Sequence, residues 1–458
     1  MTTVRRAAAK AARPASGGTA REAAVLVLAR VDRSEAFANL LLTSTLERAG
    51  LSDIDTALAT ELVLGVLRHR ARVDWTLAGA LRRRLDDIPP RIRAVLRTGV
   101  YQLLFLPRIP AHAAVDEAVT LARVHGHAGT AKLTNAVLRR VAAEGERALP
   151  QDPPAARLAV EHSHPRWLVE RWLARRGVEE TEALCRANNT HAAATARLNT
   201  LKITPEEAPQ RLQDAGIRAV RTPLPEGMTL EGPFSARRAL VDEGIVTMQD
   251  LGAMLVTDVL DPQPGETVID GAAAPGGKTT HIAERMRDRG RIIACDIHQG
   301  KLERLSARVA AMGISSVEAH HLDARELGAA FSRQADRLLL DAPCTGLGVL
   351  RRRPDIKWRV RPDDIRTLAA LQTAIISGAA EAVRPGGVLV YSVCSTEEEE
   401  GQNVVEAFLR DHRGFAPEGF ALPDDLASAG GTSGAAMLLP HRHGTDGFFI
   451  ARLRRRRS

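Results

Sequence analysis

Apolar residues recur at helical spacing through the first third of the chain. Ala23, Val27 and Val31 form one set, Leu40 to Leu42 a second, and Leu58, Leu62, Val66 and Leu67 a third. Pro89-Pro90 interrupts the pattern, Ile92, Leu96 and Tyr101 restart it, and Pro107 and Pro110 interrupt it again. A last helix is expected from about Thr130 to Ala143. Residues 19–150 therefore predict an all-helical bundle of six or seven helices, with no competing strand pattern. Residues 1–18 are rich in Ala, Arg and Gly with no sustained apolar period, and read as a disordered basic tail.

The pattern then changes twice. Residues 151–176 hold Pro153-Pro154 and His164-Pro165-Arg166-Trp167, which read as a linker and a short helix. Residues 177–245 mix short strands (Ala194 to Leu198, Arg218 to Val220) with a helix from Pro205 to Ala215, a small α+β module of RRM-like type. The usual RRM aromatics are absent, which argues against base stacking there. Arg197, Asn199 and Lys202 cluster on its first strand and exit, as polar contacts or as an ordinary edge.

From residue 246 to 458, strands alternate with helices. Strands are expected at Thr267–Ile269, Arg291–Cys295, Val317–His321, Arg337–Leu340 and Gly387–Ser392. Helices are expected at Thr280–Arg287, Lys301–Met312, Arg366–Ala382 and Gln402–Leu409. A closing strand pair follows near Ala436–Leu439 and Gly447–Leu453. Near-continuous apolar strands alternating with helices predict a Rossmann-like parallel sheet covered on both faces. The fold class is thus multidomain: a helical bundle, a small α+β module and an α/β domain.

Composition adds a partner class. The 458 residues carry a formal net charge of +8, which favours a polyanionic partner. Basic residues gather at Arg5 to Arg13, Arg351 to Arg361 and Arg454 to Arg457, as phosphate contacts or as solvated faces. The four cysteines, Cys185, Cys295, Cys344 and Cys394, have no zinc spacing and make no disulfide framework, which fits a reducing, cytoplasmic setting without metal. No apolar run reaches membrane-spanning length, and no secretory signal is read.

The chemistry centres on Ile269-Asp270-Gly271-Ala272-Ala273-Ala274-Pro275-Gly276-Gly277-Lys278, a strand, a tight small-residue loop and a helix start. Such a loop lets a nucleotide-like cofactor approach the backbone and a helix N-terminus. It is neither G-x-G-x-x-G nor a Walker loop, since Gly277 intervenes before Lys278. Acids stand at successive strand ends: Asp296, Asp323 and Asp341. An open α/β sheet binds ligands at this edge. S-adenosyl-L-methionine (SAM) suits them, with Asp296 on the ribose hydroxyls and Asp323 on the adenine amine. Each acid alone is also a good helix cap.

Cys344 and Cys394 leave adjacent strand ends beside this site, whereas Cys185 and Cys295 lie in helix and strand patterns as packing residues. Paired thiols suit methylation of cytosine carbon 5, because that carbon attacks only after a thiolate adds to carbon 6. Lys278 would supply positive potential to the thiol and Asp341 would balance charge at ring nitrogen 3.

Glu61-Leu-Val-Leu-Gly65-Val-Leu-Arg68, Leu96-Arg-Thr-Gly-Val-Tyr101, Ile109-Pro-Ala-His-Ala-Ala-Val-Asp116 and Asn135-Ala-Val-Leu-Arg139-Arg140 resemble the NusB fold. Asp270 to Lys278, Asp341-Ala-Pro-Cys344-Thr-Gly, Arg353-Pro-Asp355-Ile-Lys357-Trp358 and Ser392-Val-Cys394-Ser395 resemble the RNA cytosine-5 methyltransferases. Together they resemble the RsmB/Sun (Fmu) type, which modifies small-subunit (16S) ribosomal RNA. The resemblance implies a SAM loop at Ala272, Ala273, Ala274, Pro275, Gly276, Gly277 and Lys278, with further contacts from Asp296, Asp323 and Asp341. It implies Cys394 as nucleophile, Cys344 in product release, and RNA as the partner; a monomer is expected. Ala272 departs from the family's usual Cys, at a cofactor-loop position.

Other classes predict different residues. A NusB-like RNA-binding or assembly protein needs none of the loop, acids or paired thiols. A DNA cytosine-5 enzyme would make Cys344, in its Pro-Cys segment, the nucleophile. An amino-methylating enzyme would carry Asn or Asp-Pro-Pro-Tyr/Phe after the fourth strand and would not need Cys394.

Overall fold

The computed structural model describes residues 19–33 and 36–457. The expected disordered tail at 1–18 lies outside the described residues. Two compact units divide the chain, residues 1–148 and 149–458.

The first unit is helical. Its described residues form α1 (Ala20–Val31), α2 (Ala38–Ala49), α3 (Asp53–Arg68), α4 (Arg70–Ala80), α5 (Pro90–Phe105), α6 (Ala111–Val124) and α7 (Ala128–Glu144). Side chains start the helices where expected: Thr19 caps α1 and Ser52 caps α3, each accepting a backbone N–H of the first turn. Pro90 does not merely interrupt the pattern; it occupies the first turn of α5, where its missing N–H costs nothing. Leu62, Leu77, Ile92, Leu96 and Leu138 meet in one core. Inside it Arg97 bridges Asp74 and Asp32 at 2.7 Å each.

The second unit opens with α8 (Pro154–Glu161) and α9 (Arg166–Asn188). The second of these is broken at Gly177, whose φ of +75° and ψ of −179° are not helical, so a short helix from Arg166 ends beside the expected 176/177 boundary and a second runs on to Asn188. There follow β1 (Thr195–Leu198), α10 (Ala208–Asp214), β2 (Arg218–Arg221), β3 (Gly227–Glu231), α11 (Phe234–Asp242) and β4 (Val246–Met248). The strands form an antiparallel sheet in the order β2-β3-β1-β4. Alternation along β1 sends Ala196 and Leu198 into a core with Leu212, Leu230 and Leu240. Arg197 points to the opposite face.

The α/β domain comprises α12 (Leu251–Leu260), β5 (Thr267–Asp270), α13 (Gly277–Arg285), β6 (Arg291–Asp296), α14 (Gln299–Ala311), β7 (Val317–His321), α15 (Leu327–Ala330), β8 (Ala335–Asp341), α16 (Pro362–Ala379), β9 (Val383–Val393), α17 (Gln402–Asp411), β10 (Phe415–Pro417), β11 (Ala435–Leu438), α18 (Pro440–His443) and β12 (Phe448–Arg455). The eight-stranded sheet runs β10-β12-β9-β8-β5-β6-β7, with β11 on β12. Strands β5 to β9 pair in parallel, and β12 closes against β9 antiparallel. Neighbouring residues on the central strands serve opposite cores. Ile269, Leu338 and Leu340 pack with α16 and α17, while Val268 and Leu339 pack with α12, α13 and α14. The chain order reverses between β5 and β8, which opens a crevice at the carboxyl ends of those strands.

Candidate active site

The glycine loop turns from β5 into α13. Gly276 caps the helix with φ +99°, a conformation that L side chains rarely adopt, and any Cβ there would meet Leu305 at 3.1 Å. Asp270, at the end of β5, accepts from Thr279 Oγ1 at 2.8 Å. Burial holds its carboxyl up at about 6. Among the described residues its other oxygen, Oδ1, has no partner.

Asp296 closes the far side of the loop. Its carboxylate accepts from Ala274 N–H at 3.3 Å and His298 N–H at 2.8 Å. Carboxylate oxygens offer about four acceptor positions, so two remain open. Asp323 caps the short turn Ala324–Glu326 through Arg325 N–H and pairs with the Arg325 guanidinium at 2.6 Å. The loop residues Ala272 to Lys278 and the carboxylates of Asp296, Asp323 and Asp341 thus stand at the ends of four neighbouring parallel strands. Their donor and acceptor set fits a nucleoside cofactor of the SAM type.

Asp341 ends β8 opposite Ser392 on β9. It accepts from Ser392 Oγ at 2.8 Å and from Lys278 Nζ at 2.6 Å. Burial alone would lower the Lys278 ammonium, but the Asp341 carboxylate outweighs it and the pKa is raised. Lys278 therefore stays charged, and its field reaches Cys394.

The two thiols meet. Cys344 Sγ and Cys394 Sγ lie 3.3 Å apart, one on the loop after β8 and the other just past β9. Their loops are joined by Gly348 N–H donating to Cys394 O at 3.0 Å. A Cβ at Gly348 would stand 2.0 Å from Gly447 O and 2.9 Å from Cys394 O, so only glycine permits this approach. The hydrogen bond with Cys394, then burial, push the Cys344 thiol well above the usual range. By contrast Cys185 and Cys295 are buried among apolar side chains, and burial raises each thiol to about 12. They are packing residues.

Two groups take roles different from those expected. In sequence the four glutamates Glu397 to Glu400 read as a helix start at the positive end of its dipole, yet α17 begins only at Gln402, and Glu397 and Glu400 are buried. Glu397 accepts from Trp172 Nε1 at 2.9 Å and pairs with Arg171, fastening the segment after Cys394 to α9. In the Arg351 segment, Arg351 and Arg352 pair with Asp446 at 3.3 and 2.8 Å, and Arg352 also with Asp250 at 2.7 Å. Lys357 is buried and donates to Asn189 Oδ1 at 3.0 Å. These cations bind the protein to itself, and so does Arg197, which is fully buried against Glu284. Ser392 was not singled out in sequence, though its place two residues before Cys394, on an alternating strand, was a signal that could have found it. Trp172, Arg171 and Gln372 carried no local signal.

Elsewhere, Glu161, His162 and Glu182 gather between α8 and α9, but Arg157 already pairs with both carboxylates, at 2.6 and 3.0 Å. No helix among the described residues is long and apolar enough to cross a membrane.

An open parallel sheet with an antiparallel closing strand, a small-residue loop and carboxylates at strand ends defines a methyltransferase domain, here preceded by a ferredoxin-like module and a NusB-like helical unit. Residues 257–454 match the family 16S rRNA methyltransferase RsmB/F, residues 18–143 the NusB family, and residues 164–237 the RsmF/B-like ferredoxin-like domain. A probable ribosomal RNA small subunit methyltransferase B from Bacillus subtilis is 37% identical over 95% of this chain and 98% of its own length. The crystal structure of PH0851 superposes with a TM-score of 0.82 at 30% identity, covering 95% of this chain and 98% of that one. NSun6 from Pyrococcus horikoshii, solved with SFG, superposes with a TM-score of 0.55 at 26% identity over 64% of this chain and 98% of that one. The chain belongs to the RsmB/F family of 16S rRNA methyltransferases.

Proposed function

We propose that this protein transfers a methyl group from SAM to carbon 5 of a cytosine in small-subunit ribosomal RNA, with Cys394 as nucleophile and Cys344 as the base that frees the product. The observation that carries this reading is the 3.3 Å approach of the two thiols beside the Lys278–Asp341 pair. Bound SAM supplies an electrophilic methyl group. Asp296 would hold its ribose hydroxyls, Asp323 its adenine amine, and the loop from Ala272 to Lys278 its remaining backbone contacts.

Lys278 favours the Cys394 thiolate, which adds to carbon 6 of the base. Asp341, held by Ser392 and Lys278, balances the charge that builds at ring nitrogen 3. Carbon 5, now electron-rich, takes the methyl group. Cys344, having given up its own proton to solvent, then accepts the carbon 5 proton as a thiolate. The C–H electron pair restores the ring double bond, and the C6–S bond breaks to return the Cys394 thiolate. The base must be splayed out to meet two sulfurs, which is easiest in single-stranded RNA.

The helical unit is assigned to RNA recruitment. It carries a cavity of about 670 Å³ whose lining includes Arg30, Arg33, Arg48 and Arg91. Deleting residues 1–150 without any loss of RNA binding or site choice counts against that assignment.

Covalent trapping tests the chemistry. Wild type, Cys344→Ala and Cys394→Ala are incubated with SAM and unmodified small-subunit ribosomal RNA, then separated on a denaturing gel. A slow RNA–protein band in Cys344→Ala, absent from Cys394→Ala, is the expected result. A band that needs Cys344 reverses the two roles. No band and no methylation in any protein favours an RNA-binding or assembly protein with a non-catalytic domain.

A further inference from the structure

Glu400 is buried, and four donors converge on its carboxylate. Oε1 accepts from Thr345 N–H at 2.8 Å and Gln372 Nε2 at 3.3 Å. Oε2 accepts from Thr345 Oγ1 and from Ser395 Oγ, each at 2.5 Å. Four donors fill the acceptor positions of one carboxylate. Thr345 follows Cys344 directly, and Ser395 follows Cys394 directly. One side chain thus ties together the residues next to both thiols, which arrive on loops from different strands. Gln372, on α16, also donates to Pro343 O at 2.9 Å, on the other side of Cys344.

We propose that Glu400 is the positioning residue that sets the spacing of the two thiols and so couples attack at carbon 6 to release at carbon 5. This rests on the methyltransferase reading above. Those carbons are bonded neighbours, so both sulfurs must reach adjacent atoms of one ring. A displacement of about 1 Å in such a geometry costs about 100-fold in rate. Thr345 supplies two of the four bonds and Ser395 one. Loss of the carboxylate therefore frees the Cys344 loop more than the Cys394 loop, and release suffers before attack does.

The test is Glu400→Gln in the full-length protein. The amide keeps the shape and one acceptor oxygen, but its NH2 group cannot accept from the two hydroxyls. With Cys344 intact, the RNA–protein adduct accumulates in E400Q and not in wild type. Turnover falls about 10-fold further than single-turnover adduct formation, while KM for SAM stays within about twofold. A merely structural defect would lower both rates together and leave no adduct.

A second readout needs no RNA. Diamide accepts one thiolate across its N=N bond, and the second thiolate displaces it, leaving a Cys344–Cys394 disulfide and the reduced hydrazine. The expected disulfide rate, followed by peptide mass, is about 10-fold slower in E400Q than in wild type. Equal rates overturn the proposal. A slower rate in E400Q, with no methylation by wild type, supports the positioning role and counts against the methyltransferase reading instead. Should E400Q not fold, Thr345→Val removes one hydroxyl donor alone. It is expected to accumulate adduct in the same way, and wild-type release in that variant overturns the proposal.

Discussion

Arg197 and Glu284 form a buried two-pronged ion pair, with Nε and Nη2 donating to the two carboxylate oxygens at 2.7 and 2.9 Å. Arg197 lies on β1 of the small module, and Glu284 on the helix that follows the glycine loop. The same guanidinium donates to Gly277 O at 2.8 Å and Thr280 Oγ1 at 2.9 Å, in the first turn of that helix. The module therefore braces the proposed cofactor loop. Arg197→Ala strands a buried carboxylate and is expected to cost about 3–5 kcal/mol. Urea denaturation measures this, and titration calorimetry should show weaker SAM binding. An unchanged midpoint would contradict the bracing role.

Cys394 should govern the titration of Cys344. The largest cause of the raised Cys344 pKa is its hydrogen bond with Cys394, followed by burial. Cys394→Ala removes that first cause, so the Cys344 titration should move down toward the ordinary thiol range. The pH dependence of iodoacetamide alkylation at Cys344, read by peptide mass, checks it. The same relief follows when Cys394 becomes a thioether in the proposed adduct, which leaves more of Cys344 as the thiolate that release needs. An unmoved titration would remove this coupling from the mechanism.

Asp341→Asn keeps the shape at the end of β8 but loses the charge beside Lys278. In a Cys344→Ala background it is expected to slow adduct formation by about 100- to 10,000-fold. Quenched single-turnover gels give this rate directly. A change of less than about threefold would exclude Asp341 from charge balance at the ring.

Acid should release the segment after Cys394 from α9. Burial works to raise the Glu399 carboxyl, but hydrogen bonds from Arg175 and Arg171 outweigh it and bring the pKa down to about 2. The unfolded value is about 4.3, so the folded value is the lower one. The contribution to stability is then complete above the unfolded pKa and is lost as pH falls through about 2. Glu399→Gln should lose stability less steeply than wild type between about pH 4.5 and pH 2. Urea midpoints across that range measure the difference, and parallel curves would refute it.

Much of this architecture was legible because it rests on local pattern. Apolar spacing marked the helices of the first unit, and strand–helix alternation marked the parallel sheet. The loop from Asp270 to Lys278 was legible through its small residues, and Cys344 and Cys394 through their places after strands. Charge was the poorer guide. Arg351, Arg352 and Arg197 looked like candidates for outside contacts, but their partners are Asp446, Asp250 and Glu284, as far as 102 residues away in sequence. Glu397 and Glu400 looked like part of a helix start, and their distant partners were hidden for the same reason.

The sequence by itself determined which elements form and which side chains stand at the strand ends, since periodicity and turn chemistry act over a few residues. Only the tertiary structure decided that Cys344 and Cys394 come within 3.3 Å, that Glu400 ties together the residues next to both, and that Arg197 braces the loop at Gly277. Each of these depends on packing between segments distant in the chain. A buried charge must find its partner wherever the fold brings one, and no local pattern encodes that meeting.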